Sequence, residues 1–235
     1  MFTRISSITL AILLFLVLLG SQSNLYIYAA SLIVLIFGAF AINFKRLNFT
    51  WPHLLLPTIY LLGVGSVVAV ISSSTFRLVF LILACILFYA LEMRLGKESH
   101  FLQNIYLLSV FAIYLGVFAL QFYFNLKVWW VLPLVFGVTY LLSVQGFAGF
   151  SLPAKRYFYL LVAMVVSEAA WGLLFWPTHF FVNSVVLFCV FYLLWLFSFS
   201  AFFGKLSRAK IYWQLTLIGL ILLVTLSSAA WRPLR

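Results

Sequence analysis

The sequence predicts an all-α integral membrane protein, a polytopic bundle of about nine transmembrane helices. Of its 235 residues, 67% are hydrophobic and only 7% are charged, whereas an ordinary soluble domain is about 25% charged. Apolar runs of about 20 residues, the length that one helix needs to cross a bilayer, recur along the whole chain. A soluble protein could not cover its surface with so few polar groups. Cytosolic enzymes, secreted modules and disordered segments are therefore excluded.

The apolar runs divide the chain into nine segments joined by short connections. No stretch between them is long enough to fold as a separate soluble domain, and we therefore predict a single transmembrane domain over residues 1–235. The predicted spans are residues 5–20, 25–44, 54–73, 78–93, 101–124, 128–145, 157–176, 180–203 and 212–230.

The first segment also has features of a signal peptide. Arg4 precedes a short apolar core, and small polar residues follow at 21–24, which is the order found in such peptides. No Ala-x-Ala cleavage site follows the core, so we expect the segment to be retained. Cleavage would leave eight spans in the same orientation.

The distribution of basic residues predicts a cytoplasmic N-terminus and an outer C-terminus. With nine crossings in this orientation, ten of the 14 Lys and Arg residues lie on the cytoplasmic side. Every cytoplasmic connection then carries at least two of them, as the positive-inside rule requires. The chain resembles the broad class of small polytopic bacterial-type membrane proteins, and this resemblance implies a multi-pass protein of a bacterial-type plasma (inner) membrane. The basic residues are dispersed and form no continuous basic face, which indicates contact with lipid head groups and not with nucleic acid.

Glu168 is the candidate for an intramembrane site, because it lies near the middle of the seventh segment. A charged side chain at that depth costs about 3 kcal/mol or more. Such a residue is typical of a proton relay, a cation site or a counter-ion for a cationic substrate. Trp171 shares its helical face at i+3 and would line such a site with an aromatic ring. The alternative is a protonated carboxyl that hydrogen-bonds a neighbouring helix, with Trp171 in the core.

The turn after the seventh segment supplies two further candidates, His179 and Asn183. Pro177 is expected to end the seventh helix, and Thr178 to cap the eighth. Because histidine changes charge near neutral pH, we consider a proton path from the outer surface through His179 and Asn183 to Glu168. An ordinary interfacial hairpin with a solvated histidine is the alternative.

The remaining acidic residues limit the chemistry that the chain can perform. Glu92 and Glu98 flank Arg94 and Lys97 at the predicted inner surface, and we expect local ion pairs there. With no Asp and three Glu in the chain, two carboxylates cannot meet at the membrane centre, which argues against carboxylate-bound divalent metals and aspartyl proteolysis. There is no HExxH motif and no His/Cys cluster. We predict no catalytic residue, no metal site and no cofactor.

Small residues in two segments predict close helix packing. Ala112 and Gly116 lie four residues apart in the fifth segment, and Ala163 and Ser167 in the seventh. This spacing allows the backbones of neighbouring transmembrane helices to approach each other.

Two functions remain for a protein of this kind. The first is a transporter or permease-like protein for a small solute, ion or lipid, in which water reaches Glu168. The second is a non-catalytic membrane scaffold or assembly subunit, in which Glu168 is dry and a membrane protein or lipid partner is required. Transport ranks narrowly first, and an intramembrane lipid-modifying enzyme ranks below both.

Overall fold

A computed structural model describes residues 2–20, 24–46, 51–95, 100–147, 155–203 and 208–229. Over these ranges the chain contains nine α-helices and no strand, which confirms the predicted all-α fold class. The helices are α1 (Phe2–Gly20), α2 (Leu25–Arg46), α3 (Trp51–Val70), α4 (Ser74–Arg94), α5 (His100–Phe124), α6 (Val128–Gly146), α7 (Lys155–Leu174), α8 (Phe180–Phe203) and α9 (Arg208–Ser228).

Seven of the helices, α2 and α4 to α9, are long and apolar enough to cross a membrane. The described apolar parts of α1 and α3 are shorter, Ile5–Gly20 and Leu55–Val70. The helix bounds follow the predicted apolar runs to within a few residues, because the length of an apolar run sets the length of a transmembrane helix. The protein is therefore an integral membrane protein, and its orientation stays a prediction.

Polar residues between the apolar runs determine where two of the helices begin and end. The extended residue Ser73 immediately precedes α4, and Nε of Arg77 folds back to donate a hydrogen bond to the Ile71 carbonyl over 3.0 Å. Helix α5 ends at Phe124, and the next residue, Asn125, has a φ of 49°. Asparagine tolerates this left-handed conformation better than most residues, so it reverses the chain at the helix end.

The chain forms two compact units, Met1–Gly116 and Val117–Arg235. The first holds α1 to α4 and the beginning of α5, and the second holds the end of α5 and α6 to α9. The prediction of a single transmembrane domain stays a prediction.

In the first unit, close contacts between small residues join α3 to α5. The α-carbon of Gly63 faces Ser109 and Ala112 and leaves little space for a side chain, whereas that of Gly116 lies against Ser66 with no room for one. This arrangement confirms the packing role predicted for Ala112 and Gly116.

In the second unit, α7 packs against α6 and α8. One face of α7 is buried there, through Val162, Ala163, Val166, Ala170 and Leu173. Since 3.6 residues make one turn of an α-helix, positions 157, 160, 161, 164, 168, 171 and 172 fall on a second face, and this second face is exposed.

Candidate functional site

The exposed side of α7 carries the acid that the sequence singled out. Met164, Glu168, Trp171, Gly172 and Phe175 follow one another at helical spacing on that side, and all five are exposed. We call these five residues the α7 face. Apart from Glu168 they are apolar or aromatic, as expected for a helix surface in contact with lipid or with another membrane protein.

Glu168 has no polar partner within the described part of the chain: no hydrogen bond or ion pair joins it to another described residue. It is 13 residues from Lys155 and six residues from Leu174 at the ends of α7, which corresponds to about 20 Å and about 9 Å along the helix axis. Side chains of a helix lean towards its N-terminus. The carboxyl group of Glu168 is thus inclined away from the nearer end of α7.

Trp171 and Gly172 give the α7 face its shape next to the acid. The ring of Trp171 is 54% exposed and meets Phe175 edge to face, with 6.1 Å between the ring centroids. One residue further on, a Cβ placed on Gly172 would have no atom within 4 Å. Glu168 therefore shares its exposed face with an aromatic ring and with a gap where another molecule could approach the backbone.

The turn between α7 and α8 is held by a cap that differs from the predicted one. His179, and not Thr178, is the residue that caps α8: its Nδ1 accepts a hydrogen bond from the Phe181 backbone N–H over 3.3 Å. The Thr178 hydroxyl instead donates to Oδ1 of Asn183 over 2.7 Å. The expected cap at Thr178 is wrong because an imidazole acceptor at the N-cap position satisfies the same backbone donor.

The predicted site residues divide into two groups with different surroundings. Glu168 and Trp171 share the exposed α7 face, whereas Asn183 is buried on α8 and bonded to Thr178. His179 is exposed and packs against Phe122, with ring centroids 5.4 Å apart. No hydrogen bond within the described chain links His179 or Asn183 to Glu168. The proton path through these residues stays a prediction.

A buried acid lies near the end of α4 in the first unit. Glu92 on α4 is fully buried, and its Oε1 accepts a hydrogen bond from Nδ2 of Asn43 on α2 over 2.8 Å. Glu92 lies two residues before the end of α4, so its burial against α2 does not test the position predicted near the inner surface of the membrane, and the local ion pair stays a prediction. Glu98 and Lys97, the other pair predicted there, lie outside the described residues.

Asn43 was the available signal for the buried position of Glu92. It is the last polar residue before the basic pair at the end of the second segment, and an amide of this kind hydrogen-bonds across membrane helices. The carbonyl oxygen of Asn43, Oδ1, has no hydrogen-bond partner among the described residues.

Within the described ranges, no three His, Cys, Asp or Glu side chains come together as a metal site would require. Both cysteines are free; Cys85 is half-buried and Cys189 is buried. The chain matches no known family, no curated protein and no solved structure. Its function has to be argued from its own residues.

Proposed function

We propose that this integral membrane protein is a non-catalytic assembly subunit, which binds a membrane-embedded partner protein through the α7 face. The observation that carries this proposal is the exposed Glu168, which has no polar partner in the described chain. Lipid tails offer no hydrogen-bond partner, and a charged side chain facing them costs about 3 kcal/mol or more. A partner protein that covers the α7 face would supply the polar contact that lipid cannot.

The neighbours of Glu168 support the same role. Association of helices in a membrane relies on small residues, which permit close approach, and on polar residues, which hydrogen-bond across the interface. Gly172 and Glu168 supply one of each, a single turn apart on the same exposed face. The buried face of α7 already packs within the second unit, so the exposed face is the part of α7 that a partner would contact.

Site-specific photo-crosslinking in native membranes tests this proposal. A photoreactive amino acid replaces Met164 on the α7 face, and a matched control replaces Leu220 on α9, which is 62% exposed and near the middle of its helix. We expect one discrete protein adduct from position 164, lost when Glu168→Leu is added, and lipid adducts alone from position 220. Lipid adducts alone from both positions would contradict the assembly function.

Transport of a small solute, ion or lipid is the second candidate. The observation in its favour is Glu92, a fully buried acid bonded to the Asn43 amide. Ionisable groups in membrane-spanning helices are typical of ion pathways and proton relays. The unpaired Oδ1 of Asn43 adds an oxygen acceptor next to this acid.

Water access separates the two candidate functions. In a background in which Cys85 and Cys189 are changed to Ser, a cysteine is placed at position 168 or 92 and treated with a membrane-impermeant thiol reagent from each side of sealed vesicles. A lipophilic thiol reagent shows that each cysteine is reactive, and thermal unfolding of each variant checks its folding. The assembly function expects position 168 to react with the lipophilic reagent only. Labelling of position 168 by the impermeant reagent would favour transport. Labelling of position 92 would favour it only from the side opposite the C-terminal end of α4, because Glu92 is two residues from that end.

A further inference from the structure

We propose that the partner contacts the α7 face with a transmembrane helix that places an arginine guanidinium against Glu168 and Trp171. This inference rests on the proposed assembly function and names the chemistry of the partner.

The first argument is charge complementarity. An ionised carboxylate away from water requires an opposite charge close by, which lets both groups stay ionised. In the described helices of this chain, every Lys and Arg lies within the first or last four residues of its helix. A second copy that met the α7 face with its own α7 would oppose one Glu168 to another. Since the described helices supply no basic group near their middle, we assign it to a different protein.

The second argument is the position of Trp171 relative to Glu168. The two side chains lie three residues apart on one exposed helix face, so they are neighbours on the helix surface. No hydrogen bond within the described chain engages the indole, whose ring contact is with Phe175. A guanidinium forms two parallel hydrogen bonds to a carboxylate and also stacks on an aromatic ring, whereas a lysine ammonium is a point charge. The pair therefore favours arginine over lysine.

The third argument is the space beside the acid. Because the position of a Cβ on Gly172 is open, a partner helix can approach the backbone of α7 one turn away from Glu168. Close backbone approach brings a long side chain such as arginine across the interface without exposing it to lipid. This geometry fits a helix better than a loop, since non-helical backbone is not tolerated in lipid.

Binding of defined peptides to the full chain in lipid vesicles tests the inference. The probes are Leu-rich single-span peptides with Arg, Lys, Gln or Leu at the centre, and binding is followed by energy transfer to labelled protein. We expect the Arg peptide to bind about tenfold more tightly than the Leu peptide, which is within the range of interhelical polar contacts. Glu168→Gln should remove the preference for Arg over Gln, and Trp171→Leu should reduce the preference for Arg over Lys. Leu220→Gln, on the exposed side of α9, should change neither.

A register exchange provides a stricter control. The double variant Glu168→Met with Met164→Glu keeps the composition of the α7 face and moves the acid by one helical turn. The preferred peptide should then be the one whose Arg is displaced by four residues towards the same side of the membrane. No change of the preferred register would overturn the inference.

Other occupants of the α7 face have distinct outcomes. Equal binding of the Arg and Gln peptides would mean that Glu168 forms a neutral hydrogen bond with its partner. This result would refute the proposal that the partner supplies an arginine. Competition by an alkylguanidinium as strong as that of the Arg peptide would indicate a small cationic ligand in place of a helix. A crosslink between two copies through position 164 would indicate self-association.

The two proposals fail separately. A protein adduct at position 164 in native membranes, combined with no preference for the Arg peptide, would refute the proposed arginine of the partner. The assembly function would remain supported. A preference for Arg that depends on Glu168, without any native protein adduct, would show that the α7 face can bind arginine but would refute the assembly function and with it the partner helix.

Discussion

Nδ2 of Asn43 donates a hydrogen bond to Oε1 of Glu92 over 2.8 Å, and this contact joins α2 to α4 in the first unit. Both side chains are almost completely buried. A polar group removed from water is stable only when its hydrogen bonds are made. The buried amide of Asn43 therefore depends on Glu92 for this hydrogen bond, which links the two helices.

The Asn43–Glu92 bond should be measurable as a coupling free energy. We expect a double-mutant cycle with Asn43→Ala and Glu92→Ala to give about 1 kcal/mol in the free energy of unfolding, a usual value for interhelical hydrogen bonds in membranes. Asn43→Ala combined with Tyr60→Phe is the control, because the Tyr60 hydroxyl donates to the Ala84 carbonyl and not to Asn43. The control pair should be additive within about 0.5 kcal/mol. A coupling near zero for the first pair would contradict the role given to this bond.

Helix positions were predictable from the sequence because apolar run length alone determines them. Helix α8 illustrates this: the predicted span, 180–203, has the bounds of the observed helix, Phe180–Phe203. Close packing at Gly116 was predicted, since small residues at a spacing of four indicate close helix approach wherever they occur. The partner helix was not foreseen, because spacing carries no information about which neighbour is approached.

The faces that the helices expose were not predictable in the same way. In a soluble helix the polar side marks the solvent, whereas in a membrane protein both the lipid side and the core side are apolar. The burial of Glu92 and the exposure of Glu168 depend on how α4 and α7 are rotated against their neighbours. Sequence gives no direct signal for that rotation, so neither the contact of Glu92 with Asn43 nor the exposed position of Glu168 was predicted.

Gly116 is expected to be intolerant of any side chain. Its α-carbon lies against Ser66, so Gly116→Val must push α5 away from α3. Overpacking of this kind costs about 1–3 kcal/mol. Gly219→Ala on α9 is the matched control, since nothing lies within 4 Å of its Cβ position. We expect the control to be neutral or slightly stabilising, as measured by thermal unfolding in detergent, and equal effects of the two changes would argue against the α3–α5 contact.

The turn between α7 and α8 should depend on two side-chain hydrogen bonds. Thr178→Val removes the donor to Oδ1 of Asn183 and leaves a buried acceptor unpaired, which should cost about 1–3 kcal/mol in the free energy of unfolding. His179→Asn should preserve the helix cap, whereas His179→Ala should lose about 1 kcal/mol. Unfolding of the purified variants measures these differences. If Thr178→Ser were as damaging as Thr178→Val, the hydroxyl would not be the important group.

The predicted orientation can be tested by reporter fusions. With the N-terminus inside, a fusion after residue 46 should report the cytoplasm and a fusion after residue 127 the outer side, because basic residues are retained inside. Replacing Lys45 and Arg46 by Gln should weaken the orientation more than replacing Arg77, which lies on a predicted outer connection. Alternation of the reporter signal at each connection is the expected result. Two neighbouring connections on the same side would mean that one predicted helix does not cross.

The two acids should respond in opposite ways to replacement by leucine. Glu92→Leu leaves the buried donor of Asn43 without its acceptor, and we expect a loss of about 1–3 kcal/mol in the free energy of unfolding. Glu168→Leu breaks no polar contact within the described chain and makes the α7 face wholly apolar, which eases membrane insertion by about 3 kcal/mol.

The stability of Glu168→Leu in detergent should therefore equal or exceed that of the wild type, while the protein adduct from position 164 disappears. Replacement of Glu168 is thus expected to abolish partner binding without a loss of stability, whereas replacement of Glu92 is expected to lower stability. Steric-trap unfolding of both variants, together with crosslinking in native membranes, makes the comparison. A loss of stability in Glu168→Leu as large as that in Glu92→Leu would mean that Glu168 has a partner within its own chain, because only a broken internal contact can destabilise the isolated protein by that amount.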